Sequence, residues 1–436
     1  MKEYFPNISQ IKTNRGALDP LSYRHYDPKK KVLGKSMEEH LRIAVCFWHT
    51  FCWQGTDPFG LETMQRPWLQ NSDPMQMAYD RLDAGFEFIS KLGVPFFAFH
   101  NVDVAPEGKT LQENNDNLSK VAEKMAKKME ETGLKLLWGT TNLTGHPRYM
   151  SGAATNPNPE IFAYAAAQVK HTLDVTHDLG GENYVLWGGR EGYETLLNTD
   201  LRQEQDQMGR FLAMLADYKH KIGFKGDLLI EPKPREPSKH QYDYDVATVY
   251  AFLQRYGLEK EYKMNIEGNH ATLAGHTFTH EVAYAYANDI FGSIDINEGD
   301  LMLGWDTDQF PIDRAQMTHL MLIMLENGGF DKGGFNFDAK VRRQSIDLED
   351  LFYAHISGID TMALALLNAE KLIEEKKLSS FVKERYSGWQ KGIGKEVLEK
   401  KADLEKVSTY ALQHSLNPPP KSGRQESLER ILKEGC

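Results

Sequence analysis

Eight short apolar runs recur along this chain, and a longer segment separates each from the next. The runs are 42–48 (RIAVCFW), 96–101 (FFAFHN), 135–141 (KLLWGTT), 183–189 (NYVLWGG), 227–232 (DLLIEP), 263–268 (KMNIEG), 293–297 (SIDIN) and 334–339 (GFNFDA). They are rich in β-formers or apolar residues and end near Gly, Pro or Asn, the usual punctuation of a strand. Between them, segments such as 75–93, 121–133 and 160–180 have helical period and close on Gly, a common helix stop. Strands alternating with helices require a parallel sheet with crossover helices on its outside. Eight such units predict an α/β chain folded as a (β/α)₈ TIM barrel, here with a C-terminal helical extension. The competing architecture is an open doubly wound sheet. No Gly-rich phosphate turn follows the first run, and polar residues end more strands than one crevice would use.

The barrel is expected over 41–356. Residues 1–40 read as a polar, irregular N-terminal extension. From 357 to 436 no strand-like run occurs and charged helical sequence dominates, so this stretch is expected to be a tail that packs on a neighbouring subunit. With 436 residues and 41% hydrophobic side chains, the chain can bury a large core. Its net charge of −11 argues against a nucleic-acid footprint, which needs a basic face. Three cysteines, Cys46, Cys52 and Cys436, form neither a disulfide framework nor a zinc spacing. No run reaches the ~18 apolar residues of a membrane span, and the first ten residues lack a signal-peptide core. A cytoplasmic protein without membrane partners is expected.

In a barrel the C-terminal ends of the strands share one mouth. Those ends supply His100 and Asp103, Glu231 and Lys233, Glu267 and His270, Asp295 with Asp306 and Asp308 in the following loop, and Asp338. Any one of these alone is more often structural or solvated. Together, six carboxylates repel by ~4 kcal/mol per pair at 4 Å and an effective dielectric of 20. A fold keeps them together only if cations or protons neutralise them. Lys233 offsets one charge, and two divalent cations bring the set near neutrality. Oxygen donors with one imidazole suit Mg²⁺ or Mn²⁺ and tolerate Co²⁺; zinc recruits more His or Cys. Glu267, three residues before His270, is placed to bridge two ions. His100 beside Asp103 has the makings of a general acid/base, because a neighbouring acid fixes the tautomer and raises basicity. Lys233, on the face of Glu231 by period two, can stabilise an oxyanion or pair with that glutamate. Trp48, Trp53, Phe99, Trp138, Trp187 and Trp305 crowd the same ends, as in the apolar wall of a small-molecule pocket.

Seven blocks then carry a family resemblance: 47–60 (FWHTFCWQGTDPFG), 99–103 (FHNVD), 138–149 (WGTTNLTGHPRY), 185–194 (VLWGGREGYE), 230–234 (IEPKP), 265–281 (NIEGNHATLAGHTFTHE) and 295–311 (DINEGDLMLGWDTDQFP). Along nearly its whole length the chain resembles xylose isomerase in its long, class II form. The resemblance implies two divalent cations per subunit, Mg²⁺ first, with Mn²⁺ or Co²⁺ as alternatives. One would sit on Glu231, Glu267, Asp295 and Asp338, the other on Glu267, His270, Asp306 and Asp308. It implies that His100, oriented by Asp103, opens the cyclic sugar, and that Lys233 helps polarise O1 and O2 before a hydride moves from C2 to C1. D-xylose and D-xylulose would interconvert, and D-glucose and D-fructose as well. Trp48, Trp138, Thr140, Val185 and Trp187 would form the aldose pocket. A homotetramer would be expected, with Phe59 reaching a neighbour's site. The alternative from another reaction class is a metal-dependent hydrolase or nuclease on the same barrel. It would want more His ligands and a basic approach surface.

Overall fold

The computed structural model describes residues 2–14, 16 and 19–436. Its centre is a closed barrel of eight parallel strands. They are β1 (Ala44–Cys46), β2 (Phe96–His100), β3 (Lys135–Thr140), β4 (Asn183–Trp187), β5 (Asp227–Glu231), β6 (Tyr262–Glu267), β7 (Phe291–Asp295) and β8 (Phe335–Phe337). Sequential strands are neighbours all the way round, and β8 closes on β1. Each expected run therefore forms a barrel strand, and the open-sheet alternative is excluded.

Eight principal helices surround the barrel: α1 (Pro74–Leu92), α2 (Leu111–Thr132), α3 (Pro159–Asp178), α4 (Leu201–Ile222), α5 (Val246–Tyr256), α6 (Phe278–Ala287), α7 (Arg314–Glu326) and α8 (Leu348–Glu375). Their ends follow local chemistry. Asp73 caps α1 through the Met75 amide with Pro74 in the first turn, and Gly93 stops it at φ 76°.

Period two divides the strand side chains between two cores. In β2, Phe96 and Ala98 join Ala44, Leu137, Trp138, Val185 and Leu229 inside the barrel, while Phe97 and Phe99 join the layer between strands and helices. His100 continues the inward face. The outer layer is the larger core, and it takes in the N-terminal extension. Tyr4, Phe5, Ile8, Ile11, Tyr23 and Tyr26 are buried there, with Phe5 against Phe88 and Phe352 at 5.6 and 5.3 Å. The extension is anchored by these aromatic residues and ends in regular structure, a two-stranded hairpin of Lys31–Val32 with Lys35–Ser36 and a short helix, Met37–Leu41. Asp360 of α8 also accepts the amides of Arg24, His25 and Tyr26.

The change in composition at 357 falls inside an element. Helix α8 runs unbroken through Glu375, with an apolar face that includes Ile359, Met362, Leu366 and Leu372. Beyond it lie α9 (Lys377–Arg385), α10 (Gly392–Leu398), α11 (Leu404–Gln413) and α12 (Gln425–Glu434). None of these four helices has a buried residue; Ile431 and Leu432 of α12 lie partly buried against the barrel's outer layer. Among the described residues no helix is long and apolar enough to cross a membrane.

Candidate active site

Strand register creates the site. Trp187 pairs with Glu231, Glu267 with Asp295, and Asp295 with Asn336, so adjacent strands deliver acids at one level of the barrel mouth. Glu231, Glu267, Asp295 and Asp338 end β5 to β8, and the loop after β7 folds Asp306 and Asp308 back over them. The six acids line one cup with Lys233, His270, His100 and Asp103. Their donor atoms form overlapping groups whose members lie within 4.8 Å of one another: Glu231 with Asp295 and Asp338, Glu231 with Glu267 and His270, and Glu267 with Asp306 and Asp308. Glu267 belongs to two of these groups, beside both the β5 acid and the loop acids.

The electrostatics are strained in the way like charges require. Burial and the nearby acids push Glu231 and Glu267 well above the usual carboxylate range, and the same two causes lift Asp295 to about 8. Burial also acts on Asp306, but the Lys233 ammonium at 2.7 Å and the His270 imidazole at 3.1 Å together hold that acid low. Six carboxylates face Lys233, Lys340 and His49, whose imidazole is held charged by Asp308 and Asp338, so a negative excess remains. Divalent cations would offset that excess. The buried Nδ1 of His270 and Oδ2 of Asp295 accept or donate no hydrogen bond among the described residues. Carboxylate oxygens, one imidazole and unpartnered donor atoms make the cup fit for divalent metal ions.

Beside the acids, His100 Nδ1 lies 2.8 Å from Asp103 Oδ2, which also accepts the His100 amide at 2.8 Å. The pair fixes the ring and leaves Nε2 for a ligand. Trp48 packs edge-on to His100 at 4.5 Å and donates its indole N–H to Asp338 at 2.7 Å. Trp138, Thr140, Val185 and Trp187 complete the wall.

Several placements depart from the sequence reading. Lys233 does not pair with Glu231; it binds Asp306, lies 3.3 Å from Glu236, and sits 5.3 Å from the Trp187 ring centre. Side chains two apart on a strand stand about 6.6 Å from each other, so a loop acid reaches the ammonium more easily. Phe59, expected at a neighbour's site and so no departure, is 88% exposed and lies outside this chain's cup. Trp305 is half exposed, and Trp53 donates to the Thr56 carbonyl; neither lines the cup.

Sequence reasoning also missed residues that the cup depends on. His49 Nε2 lies 3.2 Å from Asp308 and 3.0 Å from Asp338. Burial opposes its charge, yet the two acids win and raise it to about 9. Lys340 binds Asp308 at 2.7 Å. Four asparagines hold the acids from behind. Asn265 donates to Glu231 at 3.1 Å, Asn336 to Asp295 at 2.9 Å, Asn297 to Glu267 at 2.7 Å, and Asn269 to Asp306. The signal for three of them was on the page: Asn265 and Glu267, Asp295 and Asn297, and Asn336 and Asp338 each stand two apart. Each carboxamide thus shares the inward face and reaches the acid of a neighbouring strand.

Comparison with known proteins agrees with this geometry. A family model described as a xylose isomerase-like TIM barrel matches residues 83–310, and one described as a XylA2 C-terminal domain matches 382–435. The chain is 57% identical to the xylose isomerase of Photobacterium profundum over 433 residues, 99% of each chain. It is likewise 57% identical to that of Haemophilus influenzae over 435 residues, 100% of this chain and 99% of the relative. Among solved structures, L-ribulose 3-epimerase superposes with a TM-score of 0.51 at 16% identity, covering 78% of this chain and 98% of that one. D-psicose 3-epimerase does so with a TM-score of 0.50 at 12% identity, covering 75% and 99%. These two likenesses speak for the barrel alone. With full-length relatives at this identity, the chain belongs to the xylose isomerase family.

Proposed function

We propose that the protein is an aldose–ketose isomerase that interconverts D-xylose and D-xylulose, and D-glucose and D-fructose as further substrates. The observation that carries the reading is a six-carboxylate cup sharing one barrel mouth with a His–Asp pair and a buried lysine. Two divalent cations, when bound, would polarise O1 and O2 of the open aldose. Glu231, Glu267, Asp295 and Asp338 would hold one, and Glu267, His270, Asp306 and Asp308 the other. We assign Mg²⁺ first, with Mn²⁺ or Co²⁺ as substitutes, because oxygen donors outnumber the single imidazole.

The chain's own groups have separable tasks. His100 moves the proton that opens the ring, and Asp103 keeps its tautomer and orientation. The Lys233 ammonium, locked by Asp306, faces negative charge that develops on a substrate oxygen. Trp48, Trp138, Thr140, Val185 and Trp187 limit the length of the sugar and exclude water. Every acid lining the cup is either one of the six clustered carboxylates or Asp103, already engaged by His100. None is free to take the C2 proton as an enediol base, which favours hydride movement from C2 to C1. A homotetramer in the cytoplasm fits this role, with the helices after Glu375 on a neighbouring subunit and Phe59 directed to a neighbour's pocket. The hydrolase or nuclease alternative finds no support: the proposed ligand sets hold one imidazole, His270, and the net charge is −11.

The test is purified, chelator-treated protein given xylose with Mg²⁺, Mn²⁺ or Co²⁺ and read by ketose formation. Xylulose is expected with at least one ion; none with any of the three overturns the reading.

A further inference from the structure

We infer that the protein carries a second metal site, outside the cup, in which His276, His280, Glu281 and Asp245 bind one zinc-class transition ion. His276 follows Gly275, the stop of the short helix Gly268–Ala274, and Thr277 then caps α6, which holds His280 and Glu281 in its first turns. The donor atoms of His276, His280 and Glu281 lie within 4.8 Å of one another. Glu281 Oε1 is 4.0 Å from the Nε2 of each histidine, and Asp245 Oδ2 is 3.0 Å from His276 Nε2. None of the four lines the catalytic cup.

The two acids are held in place by backbone. Glu281 is 3% exposed, and its Oε2 accepts the Val246 amide at 2.8 Å. Asp245 caps α5 by accepting the Thr248 amide through Oδ1 at 2.7 Å. Each carboxylate thus has one oxygen anchored at the start of α5 and the other turned toward the imidazoles. The hydrogen-bonded tie between α5 and the 276–281 segment uses His276 with Asp245 and the Val246 amide with Glu281 Oε2. It leaves Glu281 Oε1 beyond hydrogen-bond range of both rings, with no hydrogen bond among the described residues. One ion with bonds of ~2.0–2.2 Å would draw such donors together.

Donor chemistry selects the ion. Two neutral imidazoles and two carboxylates give a neutral site with one divalent cation. This set suits Zn²⁺, Ni²⁺ or Co²⁺ and is poor for Mg²⁺, the opposite of the cup. An ion here would pin the end of the helix that carries Asn269 and His270 to α5.

The probe is zinc alone, titrated by equilibrium dialysis into chelator-stripped full-length protein in excess Mg²⁺. Wild type is expected to bind one more zinc per chain than the His276→Ala/His280→Ala double variant. Any zinc entering the cup counts equally in both proteins and cancels. His280→Ala alone, at a half-exposed position, is expected to weaken the extra zinc at least tenfold and leave Mg²⁺-supported turnover within twofold. X-ray absorption of the difference zinc should show two imidazoles. Equal zinc number and affinity in wild type and His280→Ala overturns the site, whether or not the double variant folds.

Discussion

At the mouth of the barrel, carboxylates are buried side by side; along α9 to α11, no residue is buried and leucines face solvent. The cup has more buried charge than its own lysines can balance. The tail has Leu398, Leu404 and Leu412 at 61%, 86% and 77% exposure. Both regions break the usual rule for side-chain burial, in opposite directions. In each case the departure bears on a proposed partner. A negative excess among oxygen donors calls for divalent cations. The uncovered leucines of the helical arm are the surface that the proposed contact with a second copy of the chain would bury.

The largest effect is expected where one residue serves two ions. Glu267→Gln should lower turnover by roughly 10²–10³ or more and weaken cation binding at both positions, measured by kinetics and calorimetric titration. Near-normal activity would remove the bridge and leave two independent half-sites. The next effect concerns the cost of the buried charge. Asp295 stands at about 8 in the metal-free fold against 3.8 for the free group. Below pH ~4 folded and unfolded chains both hold that proton; above about 8 only the folded chain has to keep a charge out of water. Metal-free protein should therefore lose stability as pH rises from about 4 to about 8, and Glu231 and Glu267 act in the same direction. Asp306 and Asp338 are held low and titrate below this window. Chemical denaturation across pH, with and without Mg²⁺, should show the slope vanish when the ion is present. A flat metal-free profile would mean the acids are not in conflict.

His100→Asn should slow turnover of the cyclic sugar by roughly 10²–10⁴ while cation affinity stays within a small factor, because the ring is assigned to proton transfer. Lost cation affinity would place His100 among the ligands. The smallest effect belongs to the tail. Leu404→Asp removes a contact worth ~1.5–3 kcal/mol if the leucine is buried between subunits. Sedimentation should then show a weakened assembly and an intact barrel by circular dichroism. An unchanged assembly would make the arm's apolar face an ordinary solvated surface.

The barrel was legible because its strands are short apolar runs with polar ends, and because parallel closure sends every such end to one mouth. Glu231, Glu267, Asp295 and Asp338 follow from that rule with no knowledge of distance. Ion pairing did not follow. Period two gives Lys233 and Glu231 a shared face, but the spacing along a strand keeps them apart, and the loop acid Asp306 takes the ammonium. His49 was hidden for a related reason: it lies in the first turn after β1, and only the closure of β8 against β1 brings Asp338 within 3.0 Å. The asparagines behind the acids could have been found from their two-residue spacing. The anchoring of the first 40 residues could not, since their aromatic residues follow no period and their burial depends on gaps between helices α1 and α8.

The most direct measurement is anomalous diffraction from crystals of the protein loaded with Mn²⁺ and soaked with a pentitol. Two peaks are expected inside the cup, one against Glu231, Glu267, Asp295 and Asp338 and one against Glu267, His270, Asp306 and Asp308. A single peak, or two peaks that do not share Glu267, would contradict the account.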